Sequence, residues 1–120
     1  MLFNDGTPSL NQPKGAPAGQ ALGASVVSAY QIDPVARTAR EVWRFDHQPE
    51  LSSEFCSSVY QASSSYLVNY AMADNAATTG IVGLDASRQQ VFELSYANPG
   101  GGCATSWNAV PVPFEQLQFD

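Results

Sequence analysis

The sequence predicts an all-β fold made of antiparallel strands. Short stretches rich in Val, Tyr, Phe, Ile and Leu alternate with turn residues along most of the chain, and no stretch carries a convincing 3.6-residue period. Two strand–turn–strand phrases, with Asp33 and Asp85 at their turns, recur about 50 residues apart. A four-stranded repeat of that length is the period of a propeller blade. The prediction is therefore antiparallel four-stranded blades of a β-propeller, about one complete blade plus parts of two neighbours.

The first part of the chain is predicted to hold a strand end, a loop and a hairpin. Residues 1–24 form one unit, the end of a strand followed by a mobile loop rich in Pro and Gly. Residues 25–120 form the second, a β-propeller-blade-like domain. Its first hairpin pairs Ser25–Asp33 with Ala39–Phe45, where polar and apolar residues nearly alternate, as on a sheet with one wet face.

One complete blade is predicted in the middle of the chain. Its four strands follow one another with tight connections: Phe55–Gln61, Ser65–Met72, Thr79–Asp85 and Gln90–Tyr96. A further strand is expected over Ser106–Val112, with Pro111 confining its end to an edge, and Phe114–Phe119 alternates like a strand. Because a propeller ring needs at least about four blades, the chain is expected to belong to a longer protein, to self-associate over its open faces, or to fold as a small sandwich.

Composition narrows the possible functions. The chain has 120 residues, five Lys and Arg, and a formal net charge of −6, so no binding to nucleic acid or to an anionic membrane surface is predicted. No run of about 18 apolar residues is present, which predicts no membrane span. No signal peptide is recognisable after Met1. The protein is expected either to be cytoplasmic or to begin upstream of this sequence.

The two cysteines, Cys56 and Cys103, each begin a similar phrase near the predicted start of a blade. Since neighbouring blades bring such positions together, a disulfide is expected, which would contribute roughly 4 kcal/mol in the chain-entropy model. Two buried free thiols are the alternative. A metal site is not predicted, because two Cys and one His at these spacings do not form a ligand set.

Four phrases resemble, in the same order, those of the bacterial aryl-sulfate sulfotransferases of the β-propeller type. They are Leu2-Phe3-Asn4-Asp5-Gly6, the hairpin Ala29–Asp33 with Glu41–Phe45, Phe55–Gln61, and Gly102–Pro111. The resemblance implies sulfuryl transfer from phenolic sulfate esters to phenols through a histidine, without a cofactor, in a periplasmic or extracellular parent protein. It also implies that this histidine lies upstream of Met1, so no catalytic residue is expected in this chain.

Other polar residues are predicted to serve structure. His47, the chain's one imidazole, is expected to be a solvated loop residue, and Arg37, Arg40 and Arg44 are expected in a hairpin turn and on its wet face. Binding of an anion is the alternative for these arginines. Asp33 and Asp85 are expected to accept hydrogen bonds from their own turns. Trp43 and Phe92, on corresponding returning strands, are predicted to be equivalent core positions.

Three residues are the candidate substrate-binding set: Ser57, Tyr60 and Asn108. On an innermost strand, Ser57 and Tyr60 would point toward a propeller axis and could line a substrate funnel, and Asn108 follows at a similar position. The alternative is that these are small polar residues selected for close packing. The alternative function for the whole chain is a small non-catalytic β module that binds a partner or forms a homo-oligomer.

Overall fold

A computed structural model describes residues 1–7, 13–16, 22–47, 51–103, 106 and 108–118. Within these ranges the strands form two antiparallel sheets. The first sheet has three strands in sequence order: β1 (Leu2–Asn4), β2 (Val26–Asp33) and β3 (Thr38–Asp46). The second has four: β4 (Ser58–Ala62), β5 (Ser65–Met72), β6 (Thr78–Leu84) and β7 (Gln90–Ala97). The all-β prediction is confirmed, and these strands lie within three residues of their predicted bounds.

Aspartate side chains close both predicted hairpin turns. The Asp33 Oδ1 atom accepts hydrogen bonds from the amides of Val35 and Ala36, both at 2.9 Å. In the second sheet, Asp85 Oδ1 accepts the amide of Gln89 at 2.9 Å. A short side chain that bonds the backbone two to four residues ahead fixes the turn before the strands pair. The predicted role of both aspartates is therefore confirmed.

The core lies between the two sheets. Pairing places Phe3, Val27 and Phe45 in one row across the first sheet, and Val59, Val68 and Val82 in one row across the second. The core consists of buried residues and of partly buried residues that pack against them. The buried residues are Val27, Leu51, Val68, Tyr70, Ala73, Val82 and Leu84, and the partly buried ones are Phe3, Trp43, Phe45, Val59 and Tyr66. Each fully buried aliphatic side chain stabilises the fold by about 1.5–3 kcal/mol. This packing leaves the opposite face of the second sheet for the C-terminal residues.

The C-terminal segment, described at residues 106 and 108–118, forms no strand there, and Ser106, Asn108 and Pro111 lie against that opposite face. The strand predicted over Ser106–Val112 is wrong for the residues described there, because Pro111 and Pro113 cannot donate ladder hydrogen bonds and the segment bonds to side chains instead. Phe114–Gln116 is a 3-10 helix rather than part of a strand. Ala104, Thr105, Trp107, Phe119 and Asp120 lie outside the described residues.

Much of the predicted N-terminal loop, residues 8–12 and 17–21, also lies outside the described residues. The two ends of this loop lie side by side, since the Leu22 amide donates to the Gly6 carbonyl at 2.9 Å. Gly6 has a φ of +81°, and a Cβ there would collide with the Ala24 carbonyl. No helix in the described ranges is long and apolar enough to cross a membrane.

A four-residue turn, α1 (Ala73–Ala76), joins β5 to β6 in a left-handed conformation. Asp74, Asn75 and Ala76 have φ of 50°, 53° and 68°. Asp and Asn tolerate this region, whereas alanine does so at a cost of about 1–2 kcal/mol. We expect Ala76→Gly to raise the free energy of unfolding by about 0.5–1 kcal/mol, because glycine removes that cost but gains freedom in the unfolded chain.

Urea unfolding followed by circular dichroism measures this change. The matched control is Ala77→Gly, because Ala77 is right-handed with φ −77° and should lose about 0.5–1 kcal/mol. Equal losses in both variants would show that the left-handed turn carries no strain at Ala76.

Candidate functional site

A polar group joins β4 to the C-terminal segment on the outer face of the second sheet. Asn108 Nδ2 donates to the Tyr60 hydroxyl at 2.8 Å, and Ser58 Oγ donates to Asn108 Oδ1 at 3.0 Å. Ser58 and Tyr60 are two residues apart on β4 and therefore face the same side. The structure thus brings together two of the three predicted substrate-binding residues, Tyr60 and Asn108, and adds Ser58. We refer to Ser58, Tyr60 and Asn108 as the Tyr60 group.

Ser57, the third predicted residue, has a different environment. Its hydroxyl lies 3.3 Å from the Phe55 carbonyl, to which it donates, and accepts the Ala71 amide at 3.2 Å. Both partners are backbone atoms, so Ser57 links the loop before β4 to the end of β5. The hydroxyl is occupied by these two bonds, which distinguishes Ser57 from the Tyr60 group.

A buried asparagine lies beside the Tyr60 group on β5. Asn69 pairs with Ser58 across the strands, is 0% exposed, and accepts the Ser106 hydroxyl at 3.0 Å through Oδ1. Its Nδ2 has no hydrogen-bond partner among the described residues, a condition that costs about 1–3 kcal/mol for a buried donor. Sequence reasoning missed Asn69, although an amide within the apolar run Leu67–Tyr70 is the signal that could have revealed it.

A disulfide holds this arrangement at one end. Cys56 and Cys103 are joined, with their Cα atoms 5.9 Å apart and a sequence separation of 47. The bond fastens the residues before β4 to the start of the segment that carries Asn108. The predicted pairing is confirmed.

His47 lies between the two sheets rather than in solvent. Its side chain is only 12% exposed, and its Nε2 lies 3.1 Å from Glu93 Oε2 on β7. The ring meets those of Phe45 and Tyr70 edge-on, at centroid distances of 6.1 and 6.2 Å. The expectation of a solvated loop histidine is wrong, because residue 47 directly follows β3 and the sheet packing covers it. His47 therefore contacts the inner face of the second sheet, opposite to the Tyr60 group.

Tyr70 is the most perturbed ionisable group near His47. It is 0% exposed, and within the described part of the chain its hydroxyl has no hydrogen-bond partner. Burial raises the pKa of Tyr70 well above 10.0, and the carboxylates of Asp46 and Glu93 raise it further. The folded state therefore holds this proton more tightly than the unfolded chain does, and the corresponding stability is lost as the pH rises above about 10.

We expect Tyr70→Phe to remove this alkaline loss and to raise the free energy of unfolding at pH 7 by up to about 1 kcal/mol, because it deletes an unsatisfied buried hydroxyl. Urea unfolding at pH 7 and pH 11 measures both effects. Tyr66→Phe is the control on the same strand. A loss of more than about 1 kcal/mol at pH 7 in Tyr70→Phe would contradict the prediction by showing that the hydroxyl is bonded.

The described residues contain no cluster of three or more His, Cys, Asp or Glu side chains positioned to hold a metal ion. Of the predicted arginines, Arg40 donates to Gln31 at 3.0 Å across the β2–β3 hairpin, and Arg37 lies in its exposed turn. Arg44 projects from β3 beside Trp43. The arginines of the hairpin thus take the positions expected of them.

Comparison with known proteins decides the family. The family model described as Arylsulfotransferase (ASST) matches residues 1–101. The chain belongs to the arylsulfotransferase family. A search of the curated proteins and a search of the solved structures each found no match.

The arylsulfotransferase match includes both sheets, with His47 and the β4 residues of the Tyr60 group. Cys103, Ser106 and Asn108 lie beyond the matched range. The Tyr60 group is therefore formed by family residues on β4 together with a segment outside the family match, and the disulfide joins these two parts.

Proposed function

We propose that this chain is the C-terminal part of an arylsulfotransferase propeller and takes part in sulfuryl transfer between phenols. The family match over residues 1–101 carries the proposal. The substrates of the parent enzyme are phenolic sulfate esters and phenols, and no cofactor is needed. The disulfide favours an oxidising compartment, periplasmic or extracellular.

Packing between the sheets supports the blade organisation. The four strands β4–β7 form a sequential antiparallel sheet, and Trp43 of the preceding hairpin stacks on Tyr66 of β5 at 5.3 Å. Phe92, on the corresponding returning strand, is 50% exposed and points away from the first sheet. In a propeller the next blade would cover the part of this face that lies near β7.

The Tyr60 group is the proposed part of the substrate-binding wall. Because Asn108 donates to the Tyr60 oxygen, the Tyr60 O–H is free to donate to a phenolic oxygen, and its ring offers an aromatic surface. Ser57 supports this wall through its bonds to Phe55 and Ala71.

Sulfuryl transfer also needs a nucleophile and donors for the sulfuryl oxygens. His47 is separated from the Tyr60 group by the second sheet, and its Nε2 is engaged by Glu93. We therefore place the nucleophilic histidine in a part of the parent enzyme that precedes this chain, and we expect the isolated chain to be inactive.

Two measurements on the isolated chain test the proposal. With 4-nitrophenyl sulfate as donor and phenol as acceptor, we expect no transfer above the rate without protein. With ¹⁵N-labelled protein, we expect phenol to shift the amide signals of Ser58, Tyr60 and Asn108. Tyr60→Phe and Asn108→Ala should weaken this binding, whereas Tyr30→Phe, at an exposed tyrosine on the other sheet, should not. Transfer that is lost in His47→Ala would overturn the placement of the nucleophile, and shifts confined to other residues would overturn the substrate wall.

The alternative function, a non-catalytic module that self-associates, is favoured by one observation. Val91, Phe92 and Leu94 on the edge strand β7 are 61%, 50% and 54% exposed, and apolar edge strands promote pairing between chains. Sedimentation of the purified chain tests it. A discrete stable oligomer without affinity for phenol or phenyl sulfate would replace the first proposal with this one.

A further inference from the structure

A polar cleft of about 520 Å³ lies between β3 and the turn that joins β6 to β7. Residues 43–46 of β3 line one side, and residues 87–90 line the other. β3 is the last strand of the first sheet, so the cleft runs along a sheet edge. None of its lining residues belongs to the Tyr60 group.

Two of the chain's five basic residues, Arg44 and Arg88, border this cleft. Neither arginine has a carboxylate partner among the described residues. The ion pair observed in this part of the chain joins His47 to Glu93. In a chain with a formal net charge of −6, two unpaired guanidinium groups at one cleft are unusual. They give the cleft a local positive charge that favours an anion.

Arg88 is held in a defined orientation. Its Cζ lies 5.1 Å from the Trp43 ring centroid, and Trp43 in turn stacks on Tyr66. The turn fixes the backbone, since the Arg88 amide donates to the Asp85 carbonyl at 2.9 Å. A guanidinium stacked on an aromatic face keeps its N–H edges free, and these edges match the oxygens of a tetrahedral anion.

The size and lining of the cleft indicate a small ligand. Trp43 already contacts Arg88 and Tyr66, so the cleft offers polar donors rather than an open aromatic face. Ser87 and Gln89 add a hydroxyl and an amide to its lining, and Asp46 adds an opposing carboxylate. This carboxylate is expected to limit the affinity.

We propose that the cleft binds a tetrahedral oxyanion of the sulfate or phosphate type, with Arg88 as the principal donor and Arg44 as the second cation. This site is separate from the Tyr60 group and does not rest on the proposed sulfuryl transfer. The same oxyanion chemistry is presented by a free inorganic ion and by the charged end of a monoester.

Titration of the ¹⁵N-labelled chain with sodium sulfate, at constant ionic strength set with sodium chloride, tests the site. We expect saturable shifts of the Trp43 indole N–H and of the amides of residues 87–90. Arg88→Gln should weaken binding at least about tenfold, as expected for loss of a charge-assisted bidentate contact. Asp46→Asn should strengthen it several-fold by removing the opposing charge.

The matched control is Arg37→Gln. Arg37 also lies in a hairpin turn with a left-handed φ, 53° against 66° for Arg88, but it does not line the cleft. Arg37→Gln removes the same charge as Arg88→Gln. Because the charge is distant and screened, the affinity of this variant for sulfate should change by less than about twofold. Absence of saturation, or an equal loss in Arg37→Gln and Arg88→Gln, would overturn the site.

Titrations with inorganic phosphate and methyl sulfate separate the two sources of the oxyanion. Binding of both ions at residues 87–90 supports the shared oxyanion chemistry. The ion that binds more tightly shows whether the site prefers a free inorganic ion or the charged end of a monoester. Failure of every oxyanion overturns the inference. Phenol shifts at Ser58, Tyr60 and Asn108 report separately on the proposed function.

Discussion

Removal of the disulfide, by Cys56→Ser with Cys103→Ser, is expected to lower the free energy of unfolding by about 4 kcal/mol. The bond closes a loop with a sequence separation of 47 residues, and the chain-entropy model assigns a loop of that size a stabilisation of about 4 kcal/mol. In addition, the described residues of the C-terminal segment pair with no strand, so without the disulfide the segment depends on side-chain bonds such as Asn108–Tyr60. Urea unfolding of the oxidised protein and of the double variant measures the difference.

Reduction provides the control for this prediction. Dithiothreitol should bring the unchanged protein to the stability of the double variant, and it should leave the double variant itself unaffected. A difference smaller than about 1 kcal/mol between oxidised protein and variant would mean that the closed loop contributes little, contrary to the entropy model. The amide signal of Asn108 should also move toward its unstructured position in the variant.

Trp43→Ala is expected to cost about 3 kcal/mol, and Phe92→Ala only about 1 kcal/mol. The sequence predicts that Trp43 and Phe92 are equivalent core positions, but this prediction is wrong because the two side chains differ in burial. Trp43 packs against the core between Tyr66 and Arg88, whereas Phe92 is 50% exposed and rests on Gly83. Removing a packed indole leaves a cavity, whereas removing a half-exposed ring loses only part of its burial.

Thermal and urea unfolding of both variants measure these losses. Trp43→Phe is the control, because a smaller ring retains part of the stacking on Tyr66 and should recover about half of the loss. Equal losses near 3 kcal/mol at both positions would restore the predicted equivalence and would show that another surface covers Phe92 in solution.

The strands could be predicted from sequence because local physics determines them. Ser65–Met72 was predicted with its observed bounds, and the turns of Asp33 and Asp85 follow from bonds within five residues. Alternation also predicts one wet face for β3, where Trp43 and Phe45 pack against the core and Arg44 is exposed. Each of these features depends on neighbours in the same sheet.

The errors concern contacts between distant parts of the chain. The sequence pattern predicts a strand around Pro111, but no neighbouring strand pairs with these residues in the described structure. His47 follows a strand at a loop boundary, and only the docking of β7 brings Glu93 to it. Within the candidate site, Tyr60 could be selected as a polar residue on a strand and Asn108 as one on a predicted strand that does not form, whereas Asn69 required knowledge of which face the C-terminal segment covers.

The two sheets share no strand within the described residues, and every paired strand is a sequence neighbour of its partner. Apart from the pairing of β1 with β2, which spans the long N-terminal loop, each hairpin can therefore form by closing a short loop, whereas docking of the sheets requires contacts such as Val27 against the second sheet. We expect docking to be the late step of folding, so that Val27→Ala accelerates unfolding more than it slows refolding. Stopped-flow kinetics would show the reverse ratio if the sheets docked in the transition state. The same separability means that the lifetime of the native protein, more than the speed of its formation, depends on the interface between the sheets.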